Sequence, residues 1–458
     1  MSKVNPEDTI VALSTPPGEG GIAVIRVSGK DAISIASHFF RPSKKTPLEE
    51  VPNQSVRHGF LVDEKGNAID EILLTLFRSP HSYTGEEVVE ISSHGGTRLT
   101  HRILELLVRA GARHAEPGEF TKRAFFNGKL DLTQVEAVLD LIRARSDASL
   151  EAAVRHLQGG LSVKINRLKE DLLEVRAHLE AEIDFPDERL ETYSREELVK
   201  KLAAVEQEIG SLIASFRRGA LLREGVLTVI VGRPNVGKSS LLNALLDRDR
   251  ALVSEIPGTT RDALEEEIEL GGLPVRLVDT AGLALGDRSP LDLMGMERTR
   301  RYLAEGDLFL FVLDGSSGWT REDEAIWAAL REKNFIPIVN KVDLLQQLDA
   351  PHLGKTACAV SCVTEEGLPE LEKRIERAIQ EMEITPESVT ITRLRHKQAL
   401  ERALPSLGAT REGLESALSP ELVLLDLREG LDRLRELIGE IYSEDVLDII
   451  FQEFCIGK

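Results

Sequence analysis

Three cysteines in 458 residues, Cys358, Cys362 and Cys455, cannot build a disulfide framework, and no second pair completes a zinc set around the first two. Long apolar runs are also missing. The stretch Leu308–Leu313 is among the longest, far short of the roughly 20 residues that a bilayer span needs. The first residues include Glu7 and Asp8 and no cationic start leading into an apolar segment, so no export signal is expected. These absences predict a cytoplasmic, reduced chain with no membrane role. Nor is there a basic surplus. Against 57 lysines and arginines stand 77 aspartates and glutamates, a net charge of −20. Bulk attraction to a phosphate backbone is therefore excluded, and any nucleic-acid contact must use a local patch or a partner. No short-period repeat or low-complexity tract appears. No G-x-S-x-G turn supports a hydrolase reading of His94-Gly95-Gly96.

What is present is an ordinary globular balance, 42% hydrophobic and 29% charged, spread over enough chain for several domains. Residues 1–118 carry short β-like runs (Thr9–Ser14, Ile22–Val27, Glu71–Phe77, Val88–Ser92), turn signals and one helical stretch near 98–110, which predicts an α/β domain. Residues 1–130 hold 16 basic and 16 acidic side chains, so the negative charge lies elsewhere. From 119 to 217 the period becomes helical. Leu132, Val135, Val138, Leu139 and Ile142 share a face, as do Leu161, Ile165, Leu168, Leu172 and Val175, with Gly159-Gly160 as the break. A turn at Asp184-Phe185-Pro186-Asp187 precedes a charged helix. Over 218–380 strand and helix alternate, the pattern of a parallel sheet with crossover helices. Helical texture returns over 381–458, where Leu424, Leu427, Leu431, Leu434 and Ile438 form one face, read as core rather than membrane surface. One helical domain interrupted by an insertion is the economical reading, since domain termini often lie close together; two separate helical domains are the alternative. The run Glu265-Glu266-Glu267 reads as a solvated strand edge.

The insertion carries the chemistry. Val226–Val231 is an apolar β-branched strand that runs into Gly232-Arg233-Pro234-Asn235-Val236-Gly237-Lys238-Ser239, a G-x-x-x-x-G-K-[ST] loop, followed by the helix-like Ser240–Leu246. Its backbone N–H groups and helix start suit phosphates. Lys238 is placed for the β- and γ-phosphates and the Ser239 hydroxyl for Mg²⁺. Asp279-Thr280-Ala281-Gly282 ends a second strand with D-x-x-G, which puts Asp279 near the magnesium and Gly282 near the γ-phosphate. Asn340-Lys341-Val342-Asp343 ends a third with N-K-x-D. The Asp343 carboxylate can accept from guanine N1–H and N2–H₂, a donor pair adenine lacks. Ser361-Cys362 is expected to complete the base pocket. The order and spacing predict a GTPase domain.

Leu283 stands where Ras-like enzymes place a water-orienting glutamine, so positioning and positive charge must come from another source. Between the phosphate loop and the D-x-x-G strand lies Ser254-Glu255-Ile256-Pro257-Gly258-Thr259-Thr260-Arg261-Asp262. Thr260 there is the natural second Mg²⁺ ligand.

Taken together these residues resemble the MnmE (TrmE) family of tRNA-modification GTPases almost end to end. Gly258–Asp262 and Asn235 are shared with related potassium-dependent GTPases. More specific are Thr15–Gly21, Tyr83-Thr84-Gly85-Glu86-Glu87, His94-Gly95-Gly96, Pro117-Gly118-Glu119-Phe120, Asn127–Leu132, Asp184–Glu188 and Phe454-Cys455-Ile456-Gly457-Lys458. The resemblance implies an α/β N-terminal domain and a discontinuous helical domain with an inserted Ras-like P-loop GTPase domain. It implies GTP as substrate, Mg²⁺, and a K⁺ ion beside the nucleotide acting like an arginine finger. Asn235 matches the side-chain ligand of that ion, and Ser254, Ile256 and Thr259 belong to the segment supplying the other oxygens. G domains pair across the nucleotide face, in a homodimer. The N-terminal domain resembles a folate-binding, dimer-forming domain for a 5-formyl- or 5,10-methylene-tetrahydrofolate. Arg26, Glu90, Lys129 and Lys458 match its folate-contacting positions; the residues alone would make Arg26 a strand-end surface group. The family works with an FAD-containing MnmG-like partner to build an aminomethyl or carboxymethylaminomethyl group on C5 of the wobble uridine of certain tRNAs. Cys455 matches a family cysteine of catalytic importance, with a small buried hydrophobe as the other reading. Asp292, counted back from Gly295-Met296-Glu297-Arg298, matches the acidic residue that helps place the attacking water, where many members carry glutamate. A ribosome-assembly or purely regulatory GTPase is the rival. Such switches usually add a basic RNA-binding domain, whereas the flanks here are acidic or neutral.

Overall fold

The computed structural model describes residues 8–43, 47–185, 193–250, 265–279, 301–344, 356–382 and 390–458. They fall into two compact units, one of Met1–Leu139, His156–Glu188 and Leu424–Lys458, the other of Asp140–Arg155 and Arg189–Val423.

The first unit is built on seven strands: β1 Ile10–Leu13, β2 Ala23–Ser28, β3 Phe40–Pro42, β4 Ser55–Val62, β5 Ala68–Phe77, β6 Val88–Ser93 and β7 Arg113–His114. Their order is β3-β4-β5-β6-β2-β1-β7, antiparallel except where β7 runs parallel to β1. The pleat explains the burial along β5. Ile72, Leu74 and Leu76 are buried and Leu73 faces out, because successive side chains alternate between faces. The helices Ala32–Phe39 and Thr97–Arg109 cover the apolar face, packing Ile35, Ile103 and Leu107 onto Val27, Leu74 and Ile91. The four β-like runs and the helix near 98–110 coincide with β1, β2, β5, β6 and Thr97–Arg109. The first unit also holds β4 and the helix Ala32–Phe39, absent from the sequence expectation. β4 buries only Gly59 and Leu61 and begins with the polar Ser55, Arg57 and His58, and so offers little apolar signal.

Around this sheet the same unit gathers the helix Glu119–Phe126, most of Leu132–Arg143, the helix Gly160–Asp184 and the helix Glu444–Gln452. Phe125, Leu132, Val135 and Leu139 meet Leu447, Ile450, Phe451 and Phe454 in one cluster. Ile142, grouped with the apolar face by its spacing, is exposed.

The second unit has a six-stranded sheet: β8 Val226–Val231, β9 Glu265–Leu270, β10 Leu273–Asp279, β11 Leu308–Asp314, β12 Phe335–Asn340 and β13 Cys358–Ala359. The order β13-β12-β11-β8-β10-β9 is parallel throughout except for the β9–β10 hairpin. β8 and β11 are buried along their whole length, and apolar but for Thr228 and the closing Asp314, because both faces of a parallel sheet are covered. The acidic run lies on β9, the edge. The helix Arg195–Glu224, opened by a Ser194/Glu197 capping box, leads into β8. The chain returns beside it. Ile391 N–H donates to Ser215 Oγ at 3.2 Å, and Arg393 pairs with Asp140 at 2.5 Å before the helix Leu394–Glu415 begins. Entry and exit of the α/β segment therefore meet on one helix, the architecture of an inserted domain. Among the described residues no helix is long and apolar enough to cross a membrane.

Candidate functional site

β8 stops where Gly232, at φ 158°, turns under the Val312 carbonyl with no room for a Cβ. Arg233 then ties the loop outward. Its Nε donates to Asp323 Oδ1 at 2.8 Å, and Asp323 is fully buried in the Thr320 capping box that opens Arg321–Leu330. Asn235 takes a left-handed φ of 64° and Gly237 one of 97°. Any side chain at 237 would strike the Asn340 amide. The helix Lys238–Arg250 follows, aiming its first N–H groups into the loop. Lys238 curls back, its Nζ donating to the Gly232 and Arg233 carbonyls at 2.8 Å each. Burial holds this ammonium below the usual lysine range, with Asp279 pulling the other way. The Ser239 hydroxyl donates to Asp279 Oδ2 at 2.5 Å. A hydroxyl and a carboxylate oxygen side by side form a hard-oxygen pair suited to Mg²⁺.

The base loop is stitched to the phosphate loop. Asn340 Nδ2 donates to the Val236 carbonyl at 2.9 Å, and Lys341 Nζ to the Asn235 carbonyl at 2.8 Å. Lys341 Nζ also reaches Asp314 Oδ2 at 2.6 Å. Burial would raise the Asp314 carboxyl, but Lys341 and Ser316 hold it below its ordinary value. Ser361, fully buried, donates to Asp343 Oδ1 at 2.6 Å and accepts from Thr364 N–H. Cys362 N–H donates to Asn340 Oδ1 at 3.3 Å, and burial pushes the Cys362 thiol up to about 11. Asn235, Val236, Gly237, Lys238, Ser239, Asp279, Asn340, Lys341, Asp343 and Ser361 thus converge at the carboxyl ends of β8, β10, β11 and β12, with Ser240 in the first turn of the helix. Ser254, Glu255, Ile256, Pro257, Gly258, Thr259, Thr260, Thr280, Ala281, Gly282 and Asp292 lie outside the described residues. Asp314 and the Arg233–Asp323 pair were not among the expected site residues. The signal for Asp314 was its place, a carboxylate closing an apolar parallel strand, where open α/β sheets bind ligands.

A second cluster lies in the first unit. Arg26 is interior to β2 rather than at a strand end, and the β2–β6 register sets it opposite Glu90. Its Nε and Nη2 both donate to Glu90 Oε1, at 2.9 and 2.8 Å. The guanidinium lies 5.2 Å from the Tyr83 ring centroid and 5.6 Å from that of Phe120. Tyr83, which burial raises, hydrogen-bonds Thr121 at 2.9 Å. Lys458 joins this pair: burial first, then Arg26, holds its ammonium low, while Glu90 opposes them. Its carbonyl accepts from Phe120 N–H at 3.2 Å, and the Gly457 carbonyl from Ser14 Oγ at 3.2 Å. Gly457, at φ 98°, is pressed against the Leu13 carbonyl. Lys129 is exposed and donates to the Pro80 carbonyl at 3.1 Å. Cys455 is exposed, which removes the buried-hydrophobe reading.

Residues 9–129 match a family model described as the GTP-binding protein TrmE N-terminus, and residues 132–455 match the MnmE helical domain. A protein from Natranaerobius thermophilus is 44% identical over 459 residues, 99% of this chain and 100% of that one. One from Moorella thermoacetica is 45% identical over 466 residues, with the same shares. Both are named tRNA modification GTPase MnmE. Among solved structures, Era of Aquifex aeolicus bound to GDP and AlF4⁻ is 26% identical, covers 39% of this chain and 66% of its own, and has a TM-score of 0.28.

Proposed function

The chain belongs to the MnmE family of tRNA modification GTPases, and from that premise we propose that it hydrolyses GTP to drive modification of the wobble uridine of certain tRNAs. The observation that carries the nucleotide reading is the double tether from the base loop to the phosphate loop, Asn340 to Val236 and Lys341 to Asn235. One strand-end motif thereby fixes both halves of a nucleotide site. Asp343, its carboxylate oriented by Ser361, accepts from the guanine edge. Lys238 leaves its two loop carbonyls for the β- and γ-phosphates.

Ser239 and Asp279, with Thr260, would hold Mg²⁺, which neutralises charge between the phosphates. Asn235 suits a K⁺ ion. It is a neutral oxygen donor on an exposed residue of the phosphate loop, held by its own carbonyl. With Ser254, Ile256 and Thr259 it would supply the cation's oxygens, and that cation would provide the positive charge that Leu283 cannot. G domains of a homodimer would close this shell. Asp292 would help place the attacking water.

For the second cluster the proposal is a tetrahydrofolate site, which supplies the one-carbon unit. Glu90 can accept from pterin N–H donors, Arg26 lies beside two aromatic walls, and Lys458 or Lys129 can meet a glutamate tail. An FAD-containing MnmG-like partner would complete the chemistry on tRNA, with Cys455 as an exposed thiol at the site's edge. The test has two arms. GTP turnover should fall sharply when Na⁺ replaces K⁺ at constant ionic strength, by at most the roughly 10³–10⁵ of an arginine finger. Transfer RNA from a deletion strain should lose the wobble aminomethyl groups. Equal turnover in both salts removes the potassium mechanism; wobble modification retained in the deletion strain favours the regulatory-switch rival.

A further inference from the structure

Resting on the reading of the nucleotide site above, we infer that Asp314 is a positioning residue that sets how tightly Asn235 holds its monovalent cation, acting through Lys341. Asp314 closes β11, and the parallel register places it beside Asn340, one residue before Lys341. Only 9% of the residue is exposed, and both its oxygens are committed. Oδ1 accepts from Ser316 N–H at 2.9 Å and Ser316 Oγ at 2.6 Å, and Oδ2 from Lys341 Nζ at 2.6 Å. The same ammonium donates to the Asn235 carbonyl at 2.8 Å.

Both ends of that bridge are strained. Lys341 has φ 63° and Asn235 φ 64°, a conformation that side-chain-bearing residues keep only where their surroundings impose it. On the other side of Pro234, Arg233 is pinned to Asp323, to Ser317 Oγ and to the Gly318 carbonyl. The chain leaving β11 therefore holds the phosphate loop at 233 directly and, from Asp314 through Lys341, at 235. Proline between them has a fixed φ, so the loop has little freedom left except at Asn235. A lysine is a flexible, strongly hydrated point charge. Among the described residues, Asp314 is the carboxylate paired with this ammonium as it donates to the Asn235 carbonyl. Without that pairing Asn235 could leave the left-handed region, and its side chain would no longer be pre-set for an ion. Guanine recognition runs through different bonds, Ser361 to Asp343 and Asn340 to Val236, so the two effects separate.

The experiment uses the full chain and the isosteric Asp314→Asn. At saturating GTP and constant ionic strength, the half-activating K⁺ concentration should rise about tenfold, the low end of what outer partners of a metal site contribute. Turnover at saturating K⁺ should stay within about threefold, because excess ion repopulates the same loop conformation. Two readouts need no turnover. Affinity for a fluorescent GDP in K⁺-free buffer should change less than the K⁺ requirement. Amide hydrogen exchange at 235–237 in GDP-bound, K⁺-free protein should quicken. Ser316→Ala, which trims one bond to Asp314 and keeps the ion pair, should shift the K⁺ requirement the same way by less; it also answers the case in which Asp314→Asn does not fold. An unchanged K⁺ requirement in the variants overturns the inference, as does a loss of GDP affinity as large as the loss of K⁺ affinity. A wild type that turns over equally in K⁺ and Na⁺ removes the potassium reading and this inference with it. That failure is visible in the wild type alone.

Discussion

On the proposed reading, single side chains decide which base enters and how the phosphate loop is drawn. Asp343→Asn keeps the shape of the group facing guanine but replaces one acceptor oxygen by a donor. GTP binding should weaken by about 1.5–3 kcal/mol, the scale of a hydrogen bond to a charged group, as read by competition against fluorescent GDP. Inorganic phosphate should compete as weakly as before. Titration matters elsewhere. Burial would raise Glu119, 1% exposed, yet bidentate Arg113 and the Glu116 N–H outweigh it and hold the carboxyl below its ordinary 4.5. A carboxyl with a depressed folded value stabilises the fold above that ordinary value and loses the contribution as pH falls toward the folded one. Thermal unfolding below pH 4.5 should therefore show a steeper acid loss in the wild type than in Glu119→Gln. Residues of this kind differ in how readable they are. Asn340 and Asp343 announce themselves because the N-K-x-D spacing carries them. Asp314 and Asp323 act through Lys341 and Arg233, 27 and 90 positions away along the chain, and no local pattern encodes that.

Elements were legible in proportion to their apolar period. The buried strands β8 and β11 and the faces of Gly160–Asp184 stand out in the sequence, whereas β4 and β3 do not, since these edge and half-exposed strands bury few apolar side chains. The closing segment shows how local expectation and packing diverge. Phe451 and Phe454 are buried, as burial-driven anchoring requires, but Ile456 is 61% exposed. Gly457 is not a flexible link either. It is held at positive φ where the Leu13 backbone leaves no space, so backbone hydrogen bonds and close approach, not the Ile456 side chain, anchor this end. A comparable close approach joins the two crossings of the insertion, where a Cβ on Gly219 would meet the Ile391 carbonyl. Gly219→Ala, despite the better helix propensity of alanine, should destabilise by about 1–3 kcal/mol through overpacking. Calorimetry should show the loss; a stabilised variant would mean that the crossing yields easily.

At the scale of the whole molecule, the nucleotide loop belongs to one compact unit and the Arg26–Glu90–Lys458 cluster to the other. That division of labour is readable from motif order, whereas the joining of the last residues to the first domain is expected only through the family resemblance that groups Lys458 with Arg26 and Glu90, because sequence distance itself carries no such signal. Deleting 455–458 should abolish tRNA modification while K⁺-stimulated GTP turnover stays within about threefold, as for sites with no shared partners. Loss of turnover in a still-folded protein would show that the sites are not separate. Cys455→Ser, at an exposed position, should leave thermal stability within about 0.5 kcal/mol. Lost modification at unchanged stability would assign the thiol to chemistry. The seating of residues 455–458 on Ser14, Gly118 and Phe120 also sets a timetable. The segments that receive them, up to Phe120, are made well before them, and the insertion with both its helical flanks must be translated before Lys458 arrives. At ~5–20 residues per second, the roughly 330 intervening residues take about 15–65 s. Through that interval the N-terminal sheet waits with its second cluster unfinished, so a nascent or prematurely terminated chain can assemble a nucleotide site but never the other one.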